Sequence, residues 1–361
     1  MKNITSGEET SDEVERWKAA RQYAALIGNP PRFIRATIHF LRVDREENGN
    51  ELSFRARSCL LPLLRSEEFK AVLYYTAKMF FPDRLQGQKY DTPRKLAQLF
   101  KPDEFIAILS VMYLYRRMKK GCEKESFQTF VKNVYMDWLL NAAVGRAIER
   151  IGFADGLLLG AMPQLAQCLL LGVDRKGFKG YRVHVRSQQI PFDIAREQEI
   201  WKCNCLQIAV LLAQYIGLGR HYHDPFMLGL PAESLDAVKD NDDVYGARLL
   251  QVWVKALKET GEAPDMLHRG EFYPFASEMK RLIEFYNTYK NVPVEELFVE
   301  KGKKHLSPQL TPELYPEGYE PTDELQTREE ENETAVATLD DLPEEIRNDF
   351  PEDIDLDEVL G

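Results

Sequence analysis

Residues Phe153–Leu170, FADGLLLGAMPQLAQCLL, and Glu197–Gly219, EQEIWKCNCLQIAVLLAQYIGLG, decide the fold. In the first, Leu157, Leu158, Ala161, Leu165, Cys168 and Leu169 recur at three- and four-residue spacing. In the second, Trp201, Cys205, Ile208, Leu212 and Tyr215 do the same. That period predicts two helices with an apolar face each. Outward from them the pattern stays helical. Helices are expected over 11–27, 32–41, 51–64, 66–80, from Asp103 to about 120, 126–151, from Ile194, and over 244–257, 272–289 and 292–299. Gly28-Asn29-Pro30-Pro31 ends the first of these. Residues 45–50 and 82–92 read as loop and turn. Gly145, on the helix carrying Val134, Trp138, Ala142 and Ile148, is expected to let another helix approach closely. No strand-like alternation of useful length occurs, so the class is all-α.

The two stretches resemble the HDOD domain, the output-type relative of the HD metal-dependent phosphohydrolases. The family reads roughly F-x-x-G-L-L-H-D-I-G in the first piece, and Phe153, Gly156, Leu157 and Leu158 match it. In the second piece Glu197, Glu199, Leu211, Leu212, Gly217 and Leu218 match. The family's metal-binding His-Asp falls on Leu159 and Gly160, and its Asp-His on Asn204 and Cys205. The family's rhythm also continues upstream, through 66–84 and 92–120, with Ala77-Lys78 in place of Ala-Asn. The likeness spans about 12–230. It implies a multi-helical HDOD-like domain over 11–230 and a helical extension over 231–299. Residues 1–10 are expected to be disordered, and 300–361 to form an acidic, largely disordered tail.

Loss of the four metal positions has chemical content. An HD centre needs imidazoles and a carboxylate converging on a divalent cation. Leu159 offers no lone pair, Gly160 has no side chain, and no histidine lies between His39 and His184. Neither a catalytic residue nor a metal or other cofactor is therefore expected. One His-Asp pair exists, at His223-Asp224 beside His221. Because Pro225 follows, Asp224 reads as a helix cap rather than a ligand. Glu197 and Glu199 point different ways on a helix, and Glu197 reads as part of a solvated helix start. His184 and His268 read as isolated. After Gly172, the segment DRKGFKGYRVHVRSQQIPFD (174–193) is polar and glycine-broken and reads as a loop crossing to the helix at Ile194.

Charge is unevenly spread. From Leu306 to Gly361 the chain carries 19 acidic and 2 basic residues, which leaves the rest at +6 when the whole is −11. Arg116, Arg117, Lys119 and Lys120 close a helix and complement its dipole, so they do not by themselves argue for nucleic acid. Five scattered cysteines without a C-x-x-C pair suit a reducing compartment. Cys203 and Cys205 would diverge by about 200° on one helix, against joint metal binding. The start of the chain is polar, and no run of about 18 apolar residues is evident, so a cytoplasmic protein without a membrane segment is expected. The tail sets Leu342, Ile346, Phe350 and Ile354 at intervals of four, a pattern that suits recognition of a partner. The resemblance implies a non-catalytic signalling or regulatory protein acting through an unidentified protein partner. Family members often sit beside two-component and cyclic-dinucleotide systems. The competing readings are a divergent HD-type metal phosphohydrolase with unusual ligands and a nucleic-acid-binding regulator using the basic body.

Overall fold

The computed structural model describes residues 6–48, 51–85, 93–266 and 268–292. All but the first residue of the expected helix over 292–299, the acidic tail and its four apolar positions Leu342, Ile346, Phe350 and Ile354 lie outside the described residues. Within them the chain is all-α, as the periodicity predicts, and contains no strand. The helices are α1 (Ser6–Ala24), α2 (Arg32–Glu47), α3 (Phe54–Arg65), α4 (Glu67–Phe80), α5 (Pro82–Leu85), α6 (Pro93–Ala97) and α7 (Pro102–Gly121). They continue as α8 (Lys124–Ala147), α9 (Gly152–Val173), α10 (Arg175–Ser187), α11 (Ile194–Trp201), α12 (Cys205–Tyr215), α13 (Asp242–Thr260) and α14 (Ala276–Tyr289). Four expectations move. The first helix already runs from Ser6, inside the segment read as disordered. The second passes through the expected loop to Glu47. Part of the expected turn after Pro82 is the short α5. The glycine-broken loop is the helix α10.

Two compact units divide the chain. One comprises Pro31–Ile106, and the other joins the residues up to Pro30 to Ala107–Asn291. The division does not follow the expected boundary at 230/231. Helices α13 and α14 belong with α8, because α13 buries Leu249, Leu250, Trp253 and Leu257 completely.

In the smaller unit, α3 and α4 pack on one another and both meet α6. Ser53 and Ser66 cap α3 and α4 with their hydroxyls. Asp44 is buried, and it explains why α2 overruns its expected end. Its carboxylate accepts from Asn48 Nδ2 at 2.7 Å and from the Ser53 amide at 2.8 Å. Two polar groups just beyond the helix end are satisfied there. Arg84 grips the nearly buried Glu104 through two hydrogen bonds, of 2.7 and 2.8 Å, and lies 3.9 Å from the centre of the Phe81 ring.

The larger unit is built around α8 and α9. Leu158, Ala161, Met162, Leu165 and Cys168 of α9 are fully buried. This helix is long and apolar enough to cross a membrane, contrary to the expectation from sequence, but neighbours cover most of it. Gly145 lets α9 come close, as its place in the pattern predicts. A Cβ there would lie 2.4 Å from the Gly152 carbonyl oxygen and 2.8 Å from Gly156 Cα. Gly156 is equally committed, because its Cβ would lie 2.4 Å from the Asn141 carbonyl oxygen. Helix α12 packs on α9 and α1, and Arg117 donates twice to the carbonyl of Ile27, at 2.9 and 2.6 Å, where the first helix ends.

Substitution at the glycines separates these roles. Gly145→Ala or Gly156→Ala should destabilise the chain by about 1–3 kcal/mol, because a backbone must move to admit the methyl group. Gly180→Ala, in the interior of α10 with nothing within 4 Å of the added carbon, should stabilise by about 0.5–1 kcal/mol. Urea denaturation of the three variants measures both signs.

Candidate functional site

Where a loop was expected after Asp174, the chain winds into α10. Phe178, Tyr181 and Val185 fall at three- and four-residue spacing and are all buried. Their burial outweighs the cost of Gly177 and Gly180 within a helix. Asp174 caps the turn, accepting from the Gly177 amide at 2.9 Å, and Trp201 Nε1 donates to its other oxygen at 3.3 Å. Gly177 is needed at this cap, since a Cβ would lie 2.0 Å from Asp174 Oδ2.

The stretch 197–219, expected as one helix, is two. Lys202 takes a left-handed conformation (φ 62°) that ends α11, and Asn204 starts α12 anew. The restart is a reciprocal capping box. Asn204 Oδ1 accepts from the Gln207 amide at 2.9 Å, and Gln207 Oε1 accepts from the Asn204 amide at 3.1 Å. Cys203 and Cys205 therefore do not share a helix. Both are fully buried.

Glu197 is the largest departure from expectation. It is not on a solvated helix start but fully buried. Its carboxylate accepts from the Cys205 amide at 2.6 Å, from the Tyr181 hydroxyl, and from Gln167 Nε2 at 3.4 Å. Four helices, α9 to α12, thus meet at one carboxyl group. Tyr181 also accepts from the Asp193 amide at 3.1 Å, so its hydroxyl joins the start of α11 to the same cluster. Burial raises the pKa of Glu197, against the hydrogen bonds from Tyr181 and Cys205, which lower it. Burial, then the neighbouring Glu197, pushes the Tyr181 phenol and the Cys205 thiol up. Cys203, under the same two influences, is pushed up to about 12.

Outside this cluster, an open groove of about 870 Å³ runs between α10 and α11. Lys176, Gly180 and His184 line one side, Asp193, Arg196 and Glu199 the other, and Tyr181 connects it to the buried carboxyl. His184 is not isolated. Its Nε2 lies 2.9 Å from Asp193 Oδ2, and Asp193 also caps α11 through the Arg196 amide at 3.0 Å. The Arg196 amide, then His184, hold the Asp193 carboxyl below its usual range.

The positions aligned with the HD ligands are used otherwise. Leu159 is buried. Gly160 faces α8, where an added Cβ would lie 2.5 Å from Asn141 Cβ. Asn204 is a cap. Cys205 opens α12 beside Gln167, two turns of α9 beyond Gly160. At the other His-Asp pair, Asp224 makes no side-chain cap. Its carboxylate instead meets His223 Nδ1 at 2.7 Å, because the short turn Pro225–Gly229 starts from helical backbone rather than the extended geometry of a cap. His221 and Asp243 lie 3.8 Å apart, and His268 stacks on Tyr273 at 3.6 Å between ring centres. Among the described residues, no group of three or more His, Cys, Asp or Glu side chains is arranged to hold a metal ion. Sequence reasoning missed Glu197, Tyr181 and Gln167 as one cluster. The available signals were the polar Gln167 within an apolar helix and the Asn204-x-x-Gln207 capping pattern. No family model, curated protein or solved structure matches the chain.

Two measurements check this geometry. A carboxyl whose folded pKa is raised contributes most favourably below its ordinary value of 4.5. That contribution is lost as pH rises from there through the folded pKa. The stability of the native chain relative to Glu197→Gln should therefore fall as pH rises through that window and then level off. Tyr181→Phe, which withdraws a donor from the buried carboxylate, should cost about 1–3 kcal/mol. Denaturation at a series of pH values reads both. Separately, Cys203 and Cys205 should resist iodoacetamide at neutral pH in the folded protein and react readily once it is denatured.

Proposed function

We propose that this chain is a non-catalytic regulatory protein acting through contacts with other proteins, in keeping with its likeness to the HDOD domain. The observation that carries the reading is how the aligned metal positions are spent. Asn204 gives its side chain to a capping box, and Cys205 gives its amide to a buried carboxylate. Both serve the fold where the likeness would put a reactive centre. Glu197, Tyr181 and Gln167 likewise face one another. What α10 and α11 offer outward is a groove with charges of both signs and no deep enclosure, which suits a protein surface better than a small substrate. The reading places the protein in the cytoplasm, a reducing compartment where five free thiols persist.

Hydrolysis of bis(p-nitrophenyl) phosphate with added manganese or magnesium, together with crosslinking in the native cells, tests the proposal. No metal-dependent turnover is expected, and a reproducible protein crosslink at Lys176 or Lys202 is. Turnover that requires the metal and disappears in Glu197→Gln would overturn the reading in favour of a divergent phosphohydrolase.

A further inference from the structure

Helix α10 carries Arg175, Lys176, Lys179, Arg182 and Arg186 and no carboxylate. Two of the five are engaged within the fold. Arg175 pairs with Glu123 at 2.7 Å. Arg182 donates to Gln167 Oε1 at 3.4 Å and lies 5.5 Å from the centre of the Phe130 ring. The other three, Lys176, Lys179 and Arg186, are exposed and make no ion pair or side-chain hydrogen bond among the described residues. Together with Val183, which is 65% exposed, they occupy positions i, i+3, i+10 and i+7, a single stripe about 15 Å long on the outer face. Phe178, Tyr181 and Val185 fix the opposite face in the core, so the stripe is held outward.

The carboxylates near it are already committed. Asp174 holds Gly177 and Trp201, Asp193 holds His184 and the Arg196 amide, and Glu199 pairs with Arg196. Nothing within the described fold neutralises the three cations.

We infer that the outer face of α10 is a docking surface for a carboxylate-rich segment of a partner protein, with Val183 as its one apolar contact. This rests on the protein-contact reading above and names the chemistry of the partner. Charge complementarity selects an acidic segment. A lipid surface would find only one apolar side chain to insert.

The test uses the full chain and a labelled peptide of glutamates with a single central leucine, compared with the same peptide carrying glutamines. The acidic peptide should bind, more weakly as salt rises. The combined change Lys176→Glu, Lys179→Glu and Arg186→Glu should weaken binding by about tenfold or more. Reversal of Lys280, exposed on α14, should leave it unchanged. Replacing the same three residues by glutamine should give an intermediate loss, which separates charge from any disturbance of the helix.

Equal binding by the charge-reversed chain would overturn the inference. So would selective binding of phosphatidylserine vesicles through these residues, which would assign the face to a membrane. So would peptide binding that appears only after removal of residues 302–361, because the chain's own tail would then be the occupant. Each of these outcomes is independent of the phosphodiesterase assay, so failure here is distinguishable from failure of the broader reading.

Discussion

Burying an ionisable carboxyl group is costly unless donors surround it, and Glu197 is surrounded. A hydroxyl from α10, an amide side chain from α9 and the first backbone amide of α12 converge on it. The positive end of the α12 dipole adds to their effect. The mutual placement of α9, α10, α11 and α12 depends on this one group. It also accounts for the break after Trp201. Only a chain that stops, turns through Lys202 and restarts at Asn204 can bring the Cys205 amide back onto the carboxylate of the preceding helix.

A second constraint supports the first. Gly145 and Gly156 let α8 and α9 approach to backbone contact, and Gly160 admits the Asn141 side chain between them. Such close approach fixes α9 along its length, and with it the position of Gln167 two turns beyond Gly160. The polar cluster is thereby carried in part by a helix most of whose residues are buried. A buried polar network fully supplied with partners favours one arrangement of its helices over others.

The consequence appears at the surface. With Phe178, Tyr181 and Val185 pinned inward, the remaining faces of α10 are fixed as well. One borders the groove with α11, with Lys176 at its rim, and the other presents Lys179, Val183 and Arg186. Glu197, Tyr181 and Cys205 are thus turned inward, where they hold the fold, while Lys179, Val183 and Arg186 are turned outward.

The all-α class, most helix positions and the close approach at Gly145 were legible in the sequence, because three- and four-residue periodicity and capping residues act locally. The Asn204-x-x-Gln207 box was equally local, although the apolar period running across it concealed the break. Helix α10 was read as a loop because Gly177 and Gly180 weaken helical propensity, while the burial that overrides it comes from residues distant in sequence. Glu197 was read as solvated for the same reason. Its own neighbours, Gln198 and Glu199, are polar, and the partners that make burial tolerable, Gln167, Tyr181 and Cys205, stand up to thirty residues away. What the sequence determined by itself was whatever depends on adjacent turns of one helix. What only the tertiary structure decided was which polar groups are enclosed together, because desolvation depends on everything packed around a residue.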